Sequence, residues 1–189
     1  MQLLPLMGGL MVSSIISGRI ISKRGKYRLF PIVGTLCALG AMTLLGTLTN
    51  NTPVQQLYLY LCLLGLGLGM VMQVMILAAQ NSVEPRHIGV ATSSATLFRS
   101  IGGSIGVAVF GAIFTQVLHT RLVALLPEGA QLPRSLGAEA VHHLPAALQQ
   151  DYLQAFGGAI HSVYQIAAGV MALAFALTWL LKDVPLRHK

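Results

Sequence analysis

Arg99 is the residue whose setting most needs a chemical reason. It is the single charge in residues 89–115, GVATSSATLFRSIGGSIGVAVFGAIFT, and stands about ten residues in from a polar end. In a helix that places the guanidinium roughly 15 Å deep, half of a ~30 Å hydrocarbon core. A central arginine costs about 2.5–3.5 kcal/mol on insertion scales, so something must face it. Three answers are open: carbonyls at a helix end, a substrate or ion pathway, or headgroups reached by snorkelling. Gln73 is the strongly polar side chain inside another apolar run, with Gln80 and Asn81 beyond it. It either hydrogen-bonds a substrate or bridges helices, the latter contributing near 0.6 kcal/mol. Met70, Met72 and Met75 surround it and suit a tolerant apolar pocket or simple packing.

The remaining reactive residues offer less. His142 and His143 are adjacent on a proline-flanked connection, whereas ligation from a helix wants i, i+4 spacing. His161 stands where an apolar run begins, as an interfacial residue or a weak proton relay. Cys37 and Cys62 fall inside apolar runs about six residues apart in depth, roughly 9 Å, which exceeds a disulfide's reach. No Asp or Glu occurs within any apolar run, so a coupling carboxylate of the kind that proton-driven carriers use must come from elsewhere. No paired carboxylates, nucleophile–base set or metal ligands suggest an enzyme, and no cofactor is expected.

The elements that hold these residues can be read from composition. The 189 residues are 54% hydrophobic and 9% charged, against about 25% charged in ordinary globular domains, and mean hydropathy is +0.72. The chain therefore reads as one all-α membrane domain, with the lipid bilayer as its solvent. The net charge of +7 does not point to nucleic acid, because no basic face is interleaved with aromatics. Five spans are expected: residues 1–17, 29–49, 57–79, 89–115 and 158–181. The first lacks the basic leader region of a signal peptide. The second has Gly34, Gly40 and Gly46, and the third holds Gly65, Gly67 and Gly69 in GLGLGM. In the fourth, Gly102, Gly103 and Gly106 provide a small-residue face with a G-x-x-x-G pair, which predicts a helix buried among close neighbours. A long connection, 116–157, carries a short amphipathic helix over 144–156, and 182–189 is a tail. Tyr164 and Trp179 stand as interface anchors.

Lys and Arg orient these spans. Nine of the twelve fall on one side, in 18–28, at Arg86 and in the tail; Arg121 and Arg134 fall on the other, and Arg99 lies within. The basic side is cytoplasmic by the positive-inside rule, so the N-terminus is outside and the C-terminus inside. Five spans with an outer N-terminus, starting almost inside a helix, predict the C-terminal part of something longer.

Residues 18–28, GRIISKRGKYR, resemble the cytoplasmic signature of the major facilitator superfamily at Gly18, Lys23, Gly25 and Lys26, with Arg19 and Arg28 adding charge. Ser22 stands where that signature has an acid, which puts the acid's charge-relay role in doubt. Residues 97–108, LFRSIGGSIGVA, are similar to the penultimate helix of the fourteen-helix drug/proton antiporter branch. Residues 181–187, LKDVPLR, are similar to the segment after that branch's last helix. The resemblance implies the last five helices of a multidrug-type efflux permease in a bacterial-type inner membrane. Its partners are small amphipathic substrates, protons and the missing N-terminal helices, with sites between repeats at the midplane. Together with the residue pattern above, this places Gln73, Arg99 and Met72 in the substrate pathway, Gly18–Arg28 as a cytoplasmic gate, and Gly65, Gly69, Gly102, Gly103 and Gly106 as packing positions. The alternative is a small accessory membrane protein that assembles with a partner subunit and transports nothing alone.

Overall fold

The computed structural model describes residues 3–25, 27–48, 52–125 and 146–181. Among them are five helices: α1 Leu4–Arg24, α2 Leu29–Gly46, α3 Val54–Asn81, α4 Ile88–Leu125 and α5 Ala146–Thr178, with a 3-10 turn at Pro85–His87 ahead of α4. All five are long and apolar enough to cross a membrane. The described residues contain no strand. The chain is an all-α integral membrane protein.

Several helix ends differ from the expected spans. α1 does not stop at residue 17 but continues to Arg24, carrying Arg19 and Lys23 exposed one turn apart. Charge at the end of a span does not break a helix, because long basic side chains reach water beyond the hydrocarbon. A backbone signal ends it instead: Gly25 takes φ 69°, left-handed, and its N–H donates to the Ile21 carbonyl. The stretch 18–28 is thus mostly helix with a tight turn, not a loop. α2 ends three residues earlier than expected, and α3 begins three earlier, straight after Pro53.

α4 and α5 depart furthest, running to 38 and 33 residues. At 1.5 Å per residue they are about 57 and 50 Å long, well beyond a ~30 Å core. The overrun packs on itself. Leu118 and Leu122 of α4 meet Tyr152, Ala155 and Ala159 of α5 in a buried cluster. Phe114 stands edge-to-face on Phe156 at 5.3 Å, and Tyr152 stacks on Phe156 at 6.2 Å. The expected surface helix over 144–156 is therefore the beginning of α5. Residues 126–145, with His142 and His143, the tail 182–189 and Lys26 lie outside the described residues.

α3 is the central helix, packed against α1, α2 and α4, while α5 packs on α2 and α4. Helical geometry explains how α3 serves two close neighbours. Gly65 and Gly69 are 400° apart and share a face; Gly67 is 200° from each and opens the opposite one. A Cβ at Gly65 would strike the Leu6 carbonyl oxygen of α1, and one at Gly69 would lie 2.5 Å from the Leu10 carbonyl oxygen. On the other face a Cβ at Gly67 would lie 2.6 Å from the Gly34 carbonyl oxygen of α2. Ser14 Oγ donates to the Gly69 carbonyl across the α1–α3 contact at 3.2 Å.

α4 behaves otherwise. Its small-residue face predicts burial among close neighbours, yet most of its middle is exposed. It meets α5 through the apolar overrun and touches α3 sparsely. A Cβ at Gly102, Gly103 or Gly106 would therefore meet no atom within 4 Å among the described residues.

Candidate functional site

Between α3 and α4 lies a groove of about 460 Å³, lined by Leu68, Val71, Met72, Met75 and Ile76 from α3 and by Ala95, Thr96 and Arg99 from α4. The α3 residues recur at three and four positions, so one helical stripe makes that wall. Residues 95, 96 and 99 do the same from α4. The two helices run antiparallel out of the turn 82–87, and Gln80 Nε2 donates to Thr92 Oγ1 at 3.0 Å near its base. Met72 lies nine residues before the end of α3 and Arg99 eleven after the start of α4, so both stand roughly 14–16 Å from that turn.

Arg99 supplies the groove's charge. Among the described residues it has neither hydrogen-bond nor ion-pair partner, so no helix-end carbonyl of these elements holds it. The Thr96 hydroxyl donates to the Thr92 carbonyl of its own helix at 2.9 Å. Glu84 is engaged at the surface, where it pairs with Arg86 at 2.8 Å. An apolar trough with one cation, about 16 Å along α4 from the turn, is what remains.

Gln73 does not share this groove. One residue on from Met72, it is turned by 100° and lines a second cavity of about 360 Å³ with Gly18, Ile21, Ser22, Ile76, Leu77 and Gln80. The structure thus brings Met72 to Arg99, and Gln73 to the Gly18 end of α1. In the 18–28 segment, Ser22 Oγ donates to the Gly18 carbonyl within α1 at 2.9 Å, so the hydroxyl in the acid's place is turned onto its own helix. Arg19 and Lys23 are exposed, and a Cβ at Gly18 would find open space.

Two contacts at this end are not foreseen from the sequence, although Arg28 belongs to the expected gate segment and Trp179 is an expected interface anchor. Tyr27 is buried in a cluster with Ile21 of α1 and Val74 of α3, anchoring the α1–α2 turn. Arg28 Nη2 donates to the Trp179 carbonyl at 2.9 Å, just past the end of α5, while its Nε is buried and, among the described residues, unbonded. A cation suits the negative end of a helix. The only hint in the sequence was a basic residue beside an aromatic one, which does not name a partner 151 positions away.

At the opposite end, Arg121, His161, Thr47 and Gln154 share a cavity of about 370 Å³ with Gly157 and Gly158. His161 Nδ1 bonds the Gly46 carbonyl, tying α5 to the end of α2. The Arg121 guanidinium lies directly over Gly158. Cys37 and Cys62 are both free thiols, half-buried in α2 and α3.

Known proteins resemble this sequence. The profile of the Major Facilitator Superfamily matches residues 1–107. The chain is 35% identical to an uncharacterized MFS-type transporter of Mycobacterium tuberculosis, over 98% of this chain and 27% of that protein. It is 30% identical to the multidrug transporter protein MdtP of Bacillus subtilis, over 98% of this chain and 39% of that protein, and 27% identical to a tetracycline resistance determinant of Streptomyces rimosus, over 96% and 60%. The chain spans about a quarter of the length of its mycobacterial relative.

Proposed function

The chain belongs to the major facilitator superfamily, and from that premise we propose that its five helices work within a secondary active carrier exporting small amphipathic compounds. In this reading the carrier sits in a bacterial-type inner membrane, N-terminus outside and C-terminus cytoplasmic. It alternates access between the two sides and is driven by protons whose coupling acid lies on helices beyond these five. The basic end, with Arg19, Lys23, Arg28 and Arg86, supports that orientation. Relatives named for multidrug transport and tetracycline resistance support the direction and the kind of cargo.

The observation that carries the reading is the α3–α4 groove. Its methionines offer adaptable apolar contact, and its depth matches the midplane, where carriers of this type bind substrate. The segment around Gly18 and Gly25, held to the end of α5 through Arg28, is the proposed inner gate. Gln73 belongs to that gate's cavity rather than to the main groove.

A second reading rests on the open face of α4. A small membrane protein that docks on a partner subunit, and transports nothing itself, would present the same unpacked glycines. One experiment separates the two. Arg99→Ala in the assembled complex is expected to abolish export, measured as efflux of a fluorescent drug from loaded cells at matched expression. Unchanged efflux would favour the accessory role.

A further inference from the structure

We propose that the α3–α4 groove selects amphipathic anions: molecules with a bulky apolar body and one carboxylate, sulfonate or similar negative group. This rests on the groove being the transport pathway and adds the sign of charge that it accepts.

Most of the wall is indifferent to charge. Val71, Met72, Met75 and Ile76 present hydrocarbon and thioether, which accept flat or bulky apolar bodies without demanding one shape. Thr96 has its proton committed to the Thr92 carbonyl. The one group with donors to give is Arg99. A guanidinium keeps its charge, is weakly hydrated and matches planar oxyanions with paired N–H donors, so it gives up water for such a partner more readily than an ammonium would.

Among the described residues no carboxylate opposes that charge. Glu84 is the only acidic residue in the α3–α4 region, and it is paired with Arg86 at the exposed turn. The other four acids, at 128, 139, 151 and 183, belong to the connection, the start of α5 and the tail. Among the described residues the groove's one charge is thus positive, and within a bilayer's low dielectric such a charge attracts an anion and repels a cation strongly. A neutral body would bind by apolar contact alone, and a lipophilic cation would meet repulsion. An anion gains on both counts, and its apolar body faces the methionines while its charge meets position 99.

The test uses two ions of nearly identical shape and opposite charge, tetraphenylborate and tetraphenylphosphonium. The full chain, with whatever subunits it assembles with, is placed in membrane vesicles with Cys37→Ala and Cys62→Ala and a reporter thiol from Met72→Cys, or from Met75→Cys should the first variant fold poorly. Labelling by a small maleimide is monitored against each ion. The ions are compared as membrane-bound amounts, because the bilayer's own dipole potential favours the borate. On that scale the borate is expected to protect the thiol at concentrations about tenfold or more below the phosphonium. Arg99→Lys is expected to keep that preference and Arg99→Gln to erase it. Equal protection by both ions, better protection by the phosphonium, or a preference that survives Arg99→Gln overturns the charge selectivity while leaving the groove as a pathway. No protection by either ion overturns the pathway as well.

Discussion

In α3, the glycines at 65, 67 and 69 each stand against the backbone of a neighbouring helix. In α4, those at 102, 103 and 106 stand against nothing among the described residues. Both triplets lie in long apolar helices, and both would be read as packing faces from sequence. The difference is the neighbourhood. α3 has α1 on one side and α2 on the other, so its alternate glycines are consumed by two contacts at 200°. α4 meets its partner α5 through the larger side chains of its overrun, Phe114, Leu118 and Leu122 among them, which pack on Tyr152, Ala155 and Ala159 of α5 well beyond Gly102, Gly103 and Gly106. A small-residue face therefore marks capacity for close approach; it does not say that this chain supplies the approaching helix.

The largest effect expected from this contrast is at Gly65. Gly65→Val puts a branched side chain where a Cβ already collides with the Leu6 carbonyl oxygen, and a backbone atom cannot rotate away as a side-chain tip can. Overpacking costs about 1–3 kcal/mol even where side chains can move, and this site should lie at or above the upper figure. The expected outcome is loss of the α1–α3 contact, read as a shifted unfolding midpoint in detergent titration by circular dichroism. A wild-type midpoint would mean that α1 and α3 do not meet here.

Gly25 and Gly18 provide a smaller contrast inside one signature. Gly25 holds φ 69° at the end of α1, which an L side chain adopts only with strain, whereas Gly18 sits mid-helix with open space beyond its Cα. Gly25→Ala should cost about 1–2 kcal/mol, and Gly18→Ala should be neutral or slightly favourable by helix propensity. The same titration checks both. Equal effects at the two positions would remove the distinction between a turn glycine and a surface one.

These contrasts also show what a sequence discloses and what it withholds. The five spans were legible because 18-residue windows of high hydropathy are a property of the chain alone. The end of α1 was not, because Arg19 and Lys23 look like a loop when counted as charge, while the real stop is one glycine's backbone angle. The overrun of α4 and α5 was half-visible. The spacing of Leu118 and Leu122, and of Tyr152, Ala155 and Ala159, is helical, but hydropathy falls there and the proline-rich stretch between invites a loop. In the candidate site, the place of Arg99 about ten residues into its helix was readable, but Met72 and Met75, read from sequence as the surroundings of Gln73, line the groove with Arg99 instead. Which side of α3 each residue faces was not readable, since Met72 and Gln73 are neighbours in sequence and diverge by 100° in space. Long-range partners such as Arg28 and the Trp179 carbonyl leave no local trace at all.

The smallest expected effect on the chain is at Gly103, and it tests the contrast most sharply because its sign is opposite. A Cβ at 103 meets no atom, so Gly103→Ala introduces no clash within these five helices. Alanine instead removes the backbone freedom that glycine must surrender in a helix, a gain of roughly 0.5–1 kcal/mol. The unfolding midpoint of the 189-residue chain should therefore rise slightly or stay where it is. In the assembled carrier the proposed function predicts the reverse, because a helix seated closely on this face has no room for an added methyl, and drug efflux should fall while expression holds. The pair of readouts decides between two origins for the open face. A rise in the midpoint with lost efflux places a partner helix against α4, one that these five do not include. A fall in the midpoint of the chain alone would mean that the face is already occupied, and that the contrast between α3 and α4 is one of degree.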